Sequence, residues 1–198
     1  MKTVGLTGGI ACGKSTVAQV LREDLHVTVI DADQVARDIT ALGSVGLAWI
    51  TEAFGSDVLT SDGVLDRKKL GSLVMQRPER RKQLEAITHP LIREEISSRL
   101  NALEAAGAAV AVVEAALMVE TGSAQLYDHL IVVSASRAAQ LARLKSRNGF
   151  DGEEAERWVD SQMPMAEKEA AATVVIHNEG SLLALRTATL AAWGQLDF

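Results

Sequence analysis

One glycine-rich octapeptide limits what this chain can build: Gly8-Gly9-Ile10-Ala11-Cys12-Gly13-Lys14-Ser15. It meets the pattern G-x-x-x-x-G-K-[ST] at Gly8, Gly13, Lys14 and Ser15. Residues 4–7 before it are a short, mostly apolar run that reads as a buried strand. Over residues 15–24 after it, Val17, Val20 and Leu21 recur at helical spacing. A glycine turn in that setting has a definite physics. Glycine lets the backbone take otherwise strained dihedrals, so that successive N–H groups converge on one centre. The helix that follows turns the positive end of its dipole to the same point, which favours an anion there. Lys14 is then expected to bridge the β- and γ-oxygens of ATP, and the Ser15 hydroxyl to ligate Mg²⁺.

Further β-branched or apolar runs occur at residues 27–30, 108–113, 130–133 and 174–176. They alternate with helical stretches and are continuous rather than alternating in polarity, which predicts a parallel sheet covered on both faces. The expected fold is α/β with three layers, a P-loop NTPase fold of five parallel strands flanked by helices. Its core takes residues 1–43, 108–142 and 172–198. The gap between the second and third runs is far longer than a crossover needs. Residues 66–75 and 78–106 within it read as helical, and Pro90 is expected to kink or break the second of them near His89. Gly107 reads as a helix stop. Residues 44–107 thus form a helical acceptor insert. Residues 143–171 form a second, lid-like insert, with Asp151 and Glu154 as a helix-capping pair. Ser181 is expected to cap the last helix.

The 198 residues suit one compact kinase unit with inserts, and the net charge of −6 argues against a broad nucleic-acid footprint. A single cysteine excludes an internal disulfide. No apolar run approaches the ~18 residues that suggest a membrane span, and no signal peptide is apparent, so cytoplasmic action is expected. Cys12 reads as a small tolerated residue, although a thiol beside Lys14 and a helix N-terminus invites a lowered pKa and alkylation that ATP would block.

Ligands of open α/β sheets lie beyond the carboxyl ends of the strands, where Asp31, Asp33 and Glu114 fall. A kinase acting on a hydroxyl needs a carboxylate to orient the acceptor or take its proton, and Asp33 is the candidate. Asp31 reads equally as a helix N-cap. Glu114 reads as a Walker-B-like acid, and Asp31 or Glu114 is expected to reach Mg²⁺ through water. Arg143 and Arg147 lie four apart, share a helix face, and are placed to neutralise the transferred phosphoryl group or to form an ordinary solvated basic face.

Spacing and chemistry reach a small P-loop kinase with an acceptor domain. Beyond that point the chain resembles the bacterial dephospho-CoA kinases along nearly its whole length. The resemblance rests on residues 5–10 and 14–18, on Ile30-Asp31-Ala32-Asp33 with Ala36-Arg37, and on residues 62–71. It continues through Ile87-Thr88-His89-Pro90-Leu91-Ile92-Arg93, Gln140-Leu141, Arg143-Leu144, Arg147, Arg157 and Gln162, and ends with Val175-Ile176, Asn178 and Gly180. It implies transfer of the ATP γ-phosphoryl group to the ribose 3′-hydroxyl of dephospho-CoA, the last step of coenzyme A synthesis, with Mg²⁺ and no prosthetic group. It implies Asp33, Lys14 and Arg147 as catalytic residues. Residues 8–16, including Thr16, with Arg143 and Asn178 would hold ATP. Thr7, Asp33, Arg37, His89, Arg93 and Glu114 would bind the acceptor. The partners would be these two small molecules alone, the chain acting as a monomer or weak homo-oligomer, with neither nucleic acid nor membrane. The chain departs from the family pattern at Ala11, Cys12, Ala116, Asn148 and His177. The other readings are a kinase of this fold with a different acceptor, a regulatory nucleotide switch, and a nucleotide-binding module without chemistry. The switch lacks a guanine-reading Asn-Lys-x-Asp.

Overall fold

Each apolar run is a strand of one sheet. In the computed structural model, which describes residues 1–75 and 77–198, these are β1 (Lys2–Gly8), β2 (Thr28–Asp31), β3 (Val110–Glu114), β4 (His129–Ser134) and β5 (Val174–His177). The order across the sheet is β2-β3-β1-β4-β5. β1 runs parallel to both β3 and β4, with Leu6 opposite Glu114 and Ile131, and β4 runs parallel to β5. Val4, Leu6, Val112, Val113, Ile131, Val132 and Val133 are all buried, without alternation, as a sheet covered on both faces requires.

By its internal contacts the chain divides into two units, Met1–Val29 with Ala106–Phe198, and Ile30–Ala105. In the first unit α1 (Lys14–Glu23) buries Val17, Ala18 and Leu21 in the core, where Leu185 and Ala192 of α9 (Leu182–Trp193) join them. Three more helices follow β4: α6 (Arg137–Asn148), α7 (Gly152–Asp160) and α8 (Met165–Ala170). Short polar residues start α6 and α7, and likewise α9. Ser136 accepts from the Ala139 amide at 3.3 Å, Asp151 from the Glu154 amide at 2.7 Å, and for α9 Ser181 from the Ala184 amide at 3.2 Å. Each such cap stabilises its helix by about 1 kcal/mol.

The second unit holds α2 (Ala32–Asp38), α3 (Val45–Phe54), α4 (Arg67–Met75) and α5 (Pro78–Ala105). Leu47, Ile50, Val58, Leu65 and Leu70 form its centre, with Leu84 and Ile87 of α5 packed on them. Arg99 of α5 donates to Asp38 of α2 at 2.7 Å and to Glu95 at 2.8 Å. The Arg99 guanidinium, helped by Gln34, holds the Asp38 carboxyl below the usual carboxylate range.

The expected break at Pro90 does not occur, for α5 continues through it from Pro78 to Ala105. Proline removes one N–H, leaving the Ala86 carbonyl without its helical donor. Packing on both sides of the residue outweighs that loss: Leu84 and Ile87 sit on the core before it, and Ile96 is buried after it. Gly107, in the left-handed region at φ 83°, follows the helix end as expected. Replacing Pro90 with Ala should restore the missing bond and raise stability by about 1–3 kcal/mol, readable as a higher urea midpoint with an unchanged slope.

Candidate active site

The phosphate loop is shaped by what its carbonyls bind. Three successive carbonyls each accept one side chain from elsewhere in the chain. Gln140 Nε2 donates to Ile10 O at 2.8 Å, Arg143 Nη1 to Ala11 O at 3.2 Å, and Asn178 Nδ2 to Cys12 O at 2.9 Å. Gln162 Oε1 accepts from the Ile10 amide at 2.7 Å. The Cys12 amide turns back to Gly9 O at 3.2 Å, and the other loop amides are left for a ligand together with those of Lys14 and Ser15 at the start of α1, Thr16 already donating to Gly13 O. Ala11 (φ 58°) and Gly13 (φ 94°) both lie in the left-handed region, which curls the main chain into an anion-binding nest. At Gly13 a β-carbon would also lie 2.4 Å from Asn178 Nδ2, so the position is closed to any side chain.

Arg143 joins two parts of this site. Its other nitrogen donates to Asn178 O at 2.7 Å, so one planar guanidinium holds the phosphate loop and the turn after β5 together. The same turn is fastened to the start of α6. The Ser136 hydroxyl donates to Glu179 at 2.8 Å and its amide donates to the same carboxylate, which holds that carboxyl below its usual range. A cleft of about 680 Å³ opens beside these groups, lined among others by Gly9, Ser136, Gln140, Gln162, His177 and Glu179. That volume lies in the range of small-molecule sites.

Lys14 and Glu114 are in contact. Lys14 Nζ donates to Glu114 Oε1 at 2.7 Å, and Arg22 Nη2 lies 3.7 Å from the other oxygen. The carboxylate is 7% exposed and lies at the carboxyl end of β3. The Ser15 side chain is exposed in the first turn of α1. Among the described residues no three or more His, Cys, Asp or Glu side chains group to hold a metal ion. A Mg²⁺ brought in with nucleotide would fit nonetheless, because it takes most of its oxygens from phosphate and water and would need only one or two protein groups, such as the exposed Ser15 hydroxyl.

Thr7 is fully buried and donates to Ala116 O at 3.1 Å. Arg147, one turn beyond Arg143 on α6, is exposed and donates to Asn148 Oδ1 at 2.9 Å. In the second unit Asp31 caps α2, accepting from the Asp33 amide at 2.8 Å and the Gln34 amide at 3.3 Å. Asp33 is exposed in the first turn of that helix and Arg37 in its last. His89 and Arg93, four apart, are exposed on α5.

Cys12 keeps the first of its two readings, a small residue of the loop, and departs from the reactive one. The thiol is fully buried against Met165, and burial pushes its pKa up to about 11, despite hydrogen bonds from backbone and the charge of Arg143. The neutral thiol is a poor nucleophile, and the low dielectric that makes it so outweighs the nearby positive charge. Sequence reasoning gave Gln140 and Gln162 no separate roles. A glutamine that satisfies a distant main-chain group carries no spacing signal.

A family model described as dephospho-CoA kinase matches residues 2–184. The chain belongs to the dephospho-CoA kinase family. It is 43% identical over 197 residues to the dephospho-CoA kinase of Bacillus thuringiensis, covering 98% of each chain. It is 46% identical over 181 residues to that of Geobacter sulfurreducens, covering 91% of each. A crystal structure from Thermus thermophilus superposes with a TM-score of 0.82 at 33% identity, covering 100% of this chain and 98% of the other. As a dephospho-CoA kinase the chain is an ATP-dependent transferase of the P-loop class, acting at the final step of coenzyme A synthesis.

Two outcomes check this geometry. Gly13→Ala should weaken MgADP binding at least ~10-fold, because a left-handed alanine and its clash displace the nest; a fluorescence titration reads it. Iodoacetamide near pH 8 should leave the native protein's Cys12 unmodified and its activity intact, with full modification by mass spectrometry only after unfolding.

Proposed function

We propose that transfer occurs from ATP held in the nest at residues 8–16 to the ribose 3′-hydroxyl of dephospho-CoA, with Asp33 as the base or orienter of that hydroxyl. The observation that carries the reading is the set of three engaged carbonyls at Ile10, Ala11 and Cys12, which turns the loop amides other than those of Ile10 and Cys12 toward a polyphosphate. Lys14 exchanges Glu114 for β- and γ-oxygens when nucleotide enters, and Glu114 keeps Arg22 as a counter-charge. Asn178, Arg143 and the cleft beside them take the base and ribose. Mg²⁺, with the Ser15 hydroxyl and with Glu114 or Asp31 through water, supplies charge neutralisation at the phosphates.

In the transfer itself the 3′-oxygen forms a bond to the γ-phosphorus while the bond to the β,γ-bridging oxygen breaks. ADP leaves, and the hydroxyl proton passes to the exposed Asp33 carboxylate and then to solvent. Arg147 covers the transferring group from the lid, about residues 143–171, and excludes water. Arg37, His89, Arg93 and the insert of about residues 44–107 serve the acceptor, whose phosphates suit the two arginines; Thr7, fully buried with its hydroxyl on Ala116 O, bears on the acceptor only through that segment. The enzyme works as a monomer or weak homo-oligomer in the cytoplasm, without nucleic acid or membrane partners. No helix among the described residues is long and apolar enough to cross a membrane.

ADP release measured against a panel of acceptors tests the reading: dephospho-CoA should be the productive one, and a nucleoside monophosphate or sugar turning over in its place would end it. Asp33→Asn should retain ATP binding and lose at least ~10²-fold in kcat, the scale of one acid–base group. Unchanged turnover would remove Asp33 from the mechanism.

A further inference from the structure

Lys168 of α8 is a fully buried lysine that does not itself line the nucleotide cleft, although its neighbours Met165 and Glu169 do. Its ammonium lies 2.6 Å from Glu120 Oε1 and donates to Ala116 O at 3.0 Å. Both partners belong to the segment that follows Glu114. Ala116 O also accepts from the Thr7 hydroxyl at 3.1 Å, and Thr7 directly precedes the phosphate loop. The ion pair is Coulombic rather than an aligned hydrogen bond, and neither buried Glu120 oxygen has another partner. Lys168 is therefore the one charge that compensates Glu120 among the described contacts.

The same short helix reaches two further strand ends. Met165 Sδ lies 4.0 Å from Cys12 Sγ in the phosphate loop, and Glu169 accepts a short hydrogen bond from Ser134 at the end of β4. Met165, Lys168 and Glu169 thus touch the segments that follow β1 and β3 and the last residue of β4. A buried ion pair is a weak stabiliser, and an apolar replacement of similar volume is often as stable. What charged and directional contacts do fix is position.

We infer that Lys168 is a positioning residue of the transfer reaction, holding residues 115–120 in register with the phosphate loop through Ala116 O and Glu120. It touches neither nucleotide amides nor their side-chain supports at Gln140, Gln162, Arg143 and Asn178. Its effect falls on the transfer step rather than on nucleotide affinity. The inference rests on the family's activity and not on the assignment of Asp33, so wild-type turnover of dephospho-CoA checks the former separately.

The experiment compares Lys168→Met with the double variant Glu120→Gln, Lys168→Met, in kcat, MgADP affinity and melting temperature. Lys168→Met should lower kcat about 10²-fold, the cost of an ångström-scale misplacement, with MgADP affinity within about twofold of wild type. The double variant removes the stranded carboxylate charge, so it should regain melting temperature without regaining kcat. Wild-type kcat in the single variant, recovery of kcat together with melting temperature in the double, or MgADP affinity falling in parallel with kcat would each overturn the inference. Should Lys168→Met not fold, Thr7→Val removes the other hydrogen bond to the same carbonyl without adding bulk. It should give a smaller loss in kcat at constant MgADP affinity, and an unchanged kcat would equally overturn the inference.

Discussion

The phosphate loop holds its shape because its carbonyls have somewhere to go. A main chain that turns its N–H groups toward one point must send carbonyls the other way, and buried carbonyls without donors are costly. Here Gln140, Arg143 and Asn178 supply one donor each to Ile10, Ala11 and Cys12. Those donors come from α6 and from the turn after β5, so the nest exists only once both ends of the first unit have folded around β1. The turn after β5 depends in its own right on Ser136, and through it on the start of α6. Local sequence makes the loop possible, and long-range hydrogen bonds make it definite.

Much of this was legible from the residues. The strands were readable because a sheet covered on both faces demands unbroken apolar runs, and those at 27–30, 130–133 and 174–176 all lie in strands or against their ends. The helix starts at Asp151 and Ser181 were readable because capping is local chemistry. Of the two outcomes expected at Pro90, a kink or a break, the break does not occur, because the penalty is local whereas what holds α5 together is packing of Leu84, Ile87 and Ile96 against partners the chain order does not reveal. Cys12 was open to misreading for a related reason. Proximity to Lys14 and a helix start is visible in the sequence, but the depth of burial that raises the thiol pKa is not.

The acid residues divide along the same line. Glu114 was placed by the rule that ligands gather beyond strand ends, and it does contact Lys14. Asp31, for which cap and metal roles were equally open, spends one oxygen on the first amides of α2. Lys168 gave no sign, since a lysine in a short polar helix looks like any solvated charge until it is found without solvent.

The wiring of the loop through its main chain has an evolutionary corollary. Ile10, Ala11 and Cys12 contribute carbonyls, not side-chain chemistry, to the contacts that fix them. Drift at these positions is bounded only by volume at Cys12 and by tolerance of a left-handed backbone at Ala11. The positions under tight selection should be distant ones, a glutamine, an arginine and an asparagine whose fitness is felt in a loop more than a hundred residues upstream.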